Sequence, residues 1–125
     1  MNLLLDTHAL LWWLADQPTL APEAREAIAT GENLVFVSAV VIWEIRIKQA
    51  LGKLKIPPEF KQVLDAQPFE KLAISAEHAH AVAELPDIHR DPFDRMLVAQ
   101  AKVEGFALVS RDLVFARYGI AVISA

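Results

Sequence analysis

Four carboxylates, Asp6, Glu44, Asp94 and Asp112, stand where a sheet of parallel strands could gather them. Asp6 directly follows the apolar run Leu3–Leu5, and Asp112 follows Phe106–Val109 after Ser110 and Arg111. Asp94 closes the segment Asp91-Pro92-Phe93-Asp94, and Glu44 sits within Val40-Val41-Ile42-Trp43-Glu44-Ile45. Carboxylates that converge on one place repel one another strongly unless a cation neutralises them. The chain has no cysteine, so all-oxygen ligation favours Mg²⁺, with Mn²⁺ as the alternative, over zinc. Ions held this way activate a water and stabilise the charge that develops on a phosphoryl group.

Each acid also has a plain structural reading. Asp6 and Asp112 are placed to cap helices that follow strands. Asp91 as N-cap, Pro92 at the first helical position and an acid at the third form a helix start favoured by the helix dipole. One acid is enough for that cap, which leaves Asp94 freer than Asp91. Glu44 lies on a helix that is apolar almost all round, where a carboxylate is costly unless paired or bound to metal. A Glu44–Lys48 pair at i,i+4 is the alternative. His8, His78, His80 and His89 show no ligand spacing and read as ordinary surface or turn residues.

The elements that must position these residues follow from periodicity and punctuation. Strands are expected at Leu3–Leu5, Leu34–Val37, Phe69–Ile74, Phe106–Val109 and Ile120–Ile123, the third being the weakest. Between them, helices are expected at Thr7–Ala15, Pro22–Thr30, from Ser38 to about Gly52, from Pro57 to about Gln67, from Ser75 to Glu84, from Asp91 to Glu104, and at Arg111–Tyr118. Apolar strands alternating with helices predict an α/β fold with a parallel sheet covered on both faces. Ligands of such sheets lie outside the carboxyl ends of the strands, where Asp6 and Asp112 fall.

The 125 residues have the length of one domain, and no linker-like stretch divides them. Hydrophobic residues make up 54%, a surplus for a lone soluble monomer that predicts one or more buried interfaces. No basic n-region precedes the first apolar run and no run approaches the ~20 residues of a membrane span, so a cytoplasmic protein is expected. The net charge of −4 argues against a polyanionic substrate, because Lys and Arg carry non-specific nucleic-acid binding. Acids concentrated around divalent ions remove that objection. Arg46, Lys48, Lys53, Lys55 and Lys61, against Glu59 alone, offer a basic rim for RNA or simply a solvated face.

The motifs Leu-Leu-Leu-Asp6-Thr7-His8, Val37-Ser38 with Trp43-Glu44-Ile45, Arg90-Asp91-Pro92-Phe93-Asp94-Arg95-Met-Leu-Val-Ala-Gln-Ala, and Leu108-Val109-Ser110-Arg111-Asp112 resemble those of PIN-domain proteins. Within them the chain is similar to the VapC-type ribonuclease toxins of bacterial type II toxin–antitoxin pairs, from end to end. The resemblance implies a three-layer α/β/α sandwich with a central, mostly parallel sheet. It makes Asp6, Glu44, Asp94 and Asp112 the acidic metal-site residues, with Ser110 as a polar helper. Asp94 matches better than Asp91, because the family's acid stands just before a small-residue helical stretch, here Met96–Ala101. The resemblance further implies Mg²⁺ or Mn²⁺ dependence, endonucleolytic cleavage of RNA, homodimers, and a cognate antitoxin whose tail covers the groove. Two other readings stand beside it. A haloacid-dehalogenase-type phosphatase needs a second Asp two positions after the first, where His8 stands. A catalytically silent RNA- or protein-binding module could use the same fold.

Overall fold

The computed structural model describes residues 1–125. Its strands are β1 (Asn2–Leu5), β2 (Leu34–Ser38), β3 (Glu70–Leu72), β4 (Ala107–Ser110) and β5 (Val122–Ser124). They form one all-parallel sheet in the order β3-β2-β1-β4-β5. The helices are α1 (Thr7–Leu14), α2 (Pro22–Ala29), α3 (Ala39–Ala50), α4 (Phe60–Asp65), α5 (Ala76–Ala81) and α6 (Pro92–Glu104). Short 3₁₀ turns follow α5 at Val82–Glu84 and β4 at Leu113–Tyr118. The chain runs one way across the sheet from β1 to β3, then back to β4 and β5. Right-handed crossovers therefore put helices on both faces, which is the expected α/β/α sandwich.

Leu3, Leu4 and Leu5 are wholly buried, as a central strand between two helical layers requires. The weak third strand shortens to three residues at the sheet edge, where it has a partner on one side only. The helix expected from Pro57 begins only at Phe60, after Glu59 turns through the left-handed region at φ 55°. The expected helix from Ser75 to Glu84 tightens into a 3₁₀ turn over its last three residues. Gly105 ends α6 at φ 73°, the left-handed cap that disfavours any side chain. Gly105→Ala should cost about 1 kcal/mol in urea unfolding, from backbone conformation alone, since nothing crowds a Cβ there. Trp12 and Trp13 pack against the core: Arg111 lies over the Trp12 ring, and the Trp13 indole donates to Gln67 at 3.0 Å. No helix is long and apolar enough to cross a membrane.

Strand order reverses beside β1, because β2 follows on one flank and β4 returns on the other. That reversal opens a crevice at the carboxyl ends of β1 and β4. Asp6 N–H donates to Val109 O at 3.1 Å, extending the β1–β4 ladder by one step and setting Asp6 beside the end of β4.

Candidate metal centre

Asp6, Glu44, Asp94 and Asp112 all line one cleft of about 210 Å³, joined by Asp91 and by a single lysine, Lys48. Asp6 sits at the β1–α1 turn, where its Oδ1 accepts from Ala9 N–H at 2.9 Å. Asp112 Oδ1 likewise accepts from Val114 N–H at 3.1 Å at the start of the 3₁₀ turn after β4. Asp91 caps α6, accepting from Phe93 N–H at 2.8 Å and Asp94 N–H at 3.2 Å. The capping readings of Asp6 and Asp112 thus hold together with their place in the cleft, because a cap uses one carboxylate oxygen and leaves the other. Asp94, within the first turn of α6, makes no capping bond. Ser110 is wholly buried, and its hydroxyl accepts from Asp112 N–H at 3.0 Å.

Glu44 is only 8% exposed, and α3 does carry it over the sheet edge into the cleft. Its two oxygens have separate partners: Thr7 Oγ1 donates to Oε1 at 2.7 Å, and Lys48 Nζ donates to Oε2 at 2.5 Å. The i,i+4 pair therefore forms. It does not remove Glu44 from the site; it brings a cation into it. Lys48 accordingly leaves the expected basic rim, and Lys61 pairs with Asp65. Lys53 and Lys55 remain exposed.

The electrostatics are those of crowded negative charge. Burial, then the charge of Asp91, push the Asp94 carboxyl up to about 6; Glu44 and Asp6 add to this and His89 opposes it. Burial also raises the Asp6 carboxyl, against the hydroxyl of Ser110 and the N–H of Ala9. Glu44, chiefly through its hydrogen bond, holds the Lys48 ammonium above the usual lysine range, and the charges of Asp91 and Asp94 act in the same sense. As arranged, no three acids or imidazoles close on one point tightly enough to hold an ion. Glu44 is instead paired with Lys48, and Asp112 with His89. The donor set nonetheless fits such an ion. It is all oxygen, it comes from several elements around one cleft, and its mutual repulsion is what a hard cation relieves.

Two histidines correct the sequence reading. His78 is 2% exposed and His89 is largely covered; neither is an ordinary surface residue. His89 stacks on Phe115 at 4.5 Å, its Nε2 lies 2.8 Å from Asp112 Oδ2, and its Nδ1 lies 2.8 Å from the Tyr118 hydroxyl. The Tyr118 oxygen also accepts from His89 N–H at 2.8 Å, so one hydroxyl holds both the backbone and the ring of His89 against Asp112. Sequence reasoning also missed Thr7 as the partner of Glu44. Its place directly after the first acid was the only signal.

The PIN domain model matches residues 3–121. The chain belongs to the PIN-domain family. This PIN domain is 32% identical over 115 residues to Ribonuclease VapC22 of Mycobacterium tuberculosis, an alignment covering 89% of this chain and 87% of that protein. Its fold matches a chain of the VapBC2 structure from Rickettsia felis bound to a promoter DNA fragment, with TM-score 0.75 and 18% identity, covering 99% of this chain and 98% of the other. A chain of DNA-bound VapBC from Salmonella typhimurium matches with TM-score 0.74 and 17% identity over the same shares. At those identities the likeness is one of fold.

Proposed function

We propose that this PIN domain is a metal-dependent endoribonuclease, the toxin of a bacterial toxin–antitoxin pair, with Asp6, Glu44, Asp94 and Asp112 as its acidic site. The observation that carries the reading is the cleft itself: five carboxylates against one lysine, at the crevice where strand order reverses. The curated relative, named a ribonuclease, supports RNA as the substrate. The VapBC complexes among similar folds support a cognate antitoxin as partner.

Asp6, Glu44, Asp94 and Asp112 would hold Mg²⁺, with Mn²⁺ as the alternative, which when bound supplies an activated water and charge for the phosphoryl oxygens. Thr7 fixes the Glu44 carboxylate from one side. Asp91 holds the first turn of α6, so that Asp94 enters the cleft at a fixed height. Ser110 anchors the backbone at Asp112. Lys48 neutralises Glu44 from the other side. Exposed Trp43, Leu51, Leu113 and Val114 provide apolar surface for the antitoxin or for a second copy in a homodimer. In this reading residues 1–125 act as one domain and the protein works in the cytoplasm.

One observation favours a second reading, a catalytically silent RNA- or protein-binding module on the same fold. Lys48 and His89 already satisfy two of the four acids. A cleavage assay separates the two readings. Protein freed of any antitoxin should cut single-stranded RNA internally with Mg²⁺ or Mn²⁺ and stop on addition of EDTA. RNA left intact with either ion would favour the silent module.

A further inference from the structure

Two motif residues remain without a role in the cleft: Ser38, directly before α3, and Gln100, inside the small-residue stretch of α6. Both are wholly buried, and they meet each other. Ser38 Oγ donates to Gln100 Oε1 at 2.5 Å across 62 residues of chain, while the same oxygen accepts from Val40 N–H at 3.0 Å and caps α3. The far end of the Gln100 amide is held as well. Its Nε2 lies 3.3 Å from Ala73 O and 3.3 Å from His78 Nδ1. His78 is fixed in turn by Ser75 N–H at 3.0 Å and by Glu104 at 2.7 Å. No polar side-chain atom in this buried network lacks a partner.

The two helices pair antiparallel. The start of α3 meets the middle of α6 at Ser38–Gln100, whereas further along α3 Trp43 meets Phe93 at the start of α6, edge to face at 5.3 Å. Glu44 is six residues beyond Ser38, and Asp94 is six residues before Gln100. Each acid is therefore about 9 Å along its helix from the same hydrogen bond. Sliding either helix by one residue would move its acid by about 1.5 Å and turn it by about 100°. Apolar packing between α3 and α6 tolerates such slips better than a buried hydroxyl–amide bond does, since a slip leaves both groups unsatisfied.

We propose that the Ser38–Gln100 bond is a register pin between α3 and α6 that sets Glu44 against Asp94, making Ser38 and Gln100 positioning residues for the acidic site. The consequence for metal rests on the nuclease reading above; the pin itself does not.

The test follows the whole protein labelled with 5-fluorotryptophan, in which Trp43→Phe assigns the Trp43 ¹⁹F resonance. Ser38→Ala and Gln100→Met should move that resonance, and in the same samples weaken binding of Mn²⁺ alone, followed by EPR of the free ion, by about tenfold. Ser38→Thr, which keeps the hydroxyl, should change neither. Ile28→Ala, a cavity in α2, controls for lost stability and should also change neither. If Gln100→Met does not fold, Ser38→Ala, one oxygen smaller, carries the test. A folded Ser38→Ala with an unmoved Trp43 resonance overturns the pin. A moved resonance with unchanged Mn²⁺ affinity overturns the positioning role. Wild-type protein that binds no Mn²⁺ overturns the metal reading instead, and the Trp43 resonance then decides the pin by itself.

Discussion

Asp94→Asn should abolish RNA cleavage, lowering the rate on the order of 10²–10⁴-fold, the range seen when a group acting directly in the chemistry is lost. Asp6→Asn should do the same. Asn is close to isosteric with Asp and caps a helix equally well, so at Asp6 the bond from Ala9 N–H survives and only the charge is lost. At Asp94 no capping bond is at stake, because Asp91 holds the first turn of α6. The substitutions thus separate the two roles that an acid at a helix start can play. Initial rates on a fluorogenic single-stranded RNA, alongside circular dichroism to verify the fold, make the measurement. Full cutting by either variant would remove that residue from the site.

The same Asp94→Asn change should make the metal-free protein more stable at neutral pH. Burial and the neighbouring carboxylates hold the Asp94 carboxyl at about 6 in the folded protein, against 3.8 for the group by itself. A raised acid of this kind stabilises the fold fully below its unfolded value, and that contribution fades as pH rises through about 6. Between roughly pH 4 and 6 the wild type should therefore lose stability, on the order of 2 kcal/mol after discounting for partial contact with solvent. Asp94→Asn carries no such penalty. At pH 7.5 without metal it should melt roughly 5–10 °C above the wild type, and its melting should be flatter across that pH window. Mg²⁺ should raise the wild-type melting temperature much more than that of the variant, because a ligand stabilises only the form that binds it. Equal melting of the two proteins at pH 7.5 would mean that Asp94 carries no electrostatic strain. Loss of activity with gain of stability is what a charged site held for function predicts.

Features legible in the sequence and features decided by the fold divide along the range of the interactions. The alternation of strands and helices was legible because apolar period, Pro at helix starts and Gly after helix ends are signals between near neighbours. So were the caps at Asp6 and Asp91, each of which acts within three residues. The motifs added the family, and the strand-end rule indicated which end of the sheet to inspect. Boundaries drifted where a local signal met an edge, as at β3, or a left-handed turn, as at Glu59.

The sequence by itself therefore determined that Asp6 is the first acid after a buried strand, and that Asp94 opens a helix already capped by another residue. Tertiary structure decided the rest. Glu44 reaches Thr7 across 37 residues, His78 reaches Glu104 across 26, and His89 reaches Asp112 across 23. No local pattern specifies such pairs, because each exists only once the strands have ordered and the helices have packed across them. Whether Glu44 was paired with Lys48 or belonged to the acidic site had the same answer for the same reason. The fold holds Lys48 inside the cleft, so the pair is itself part of the site.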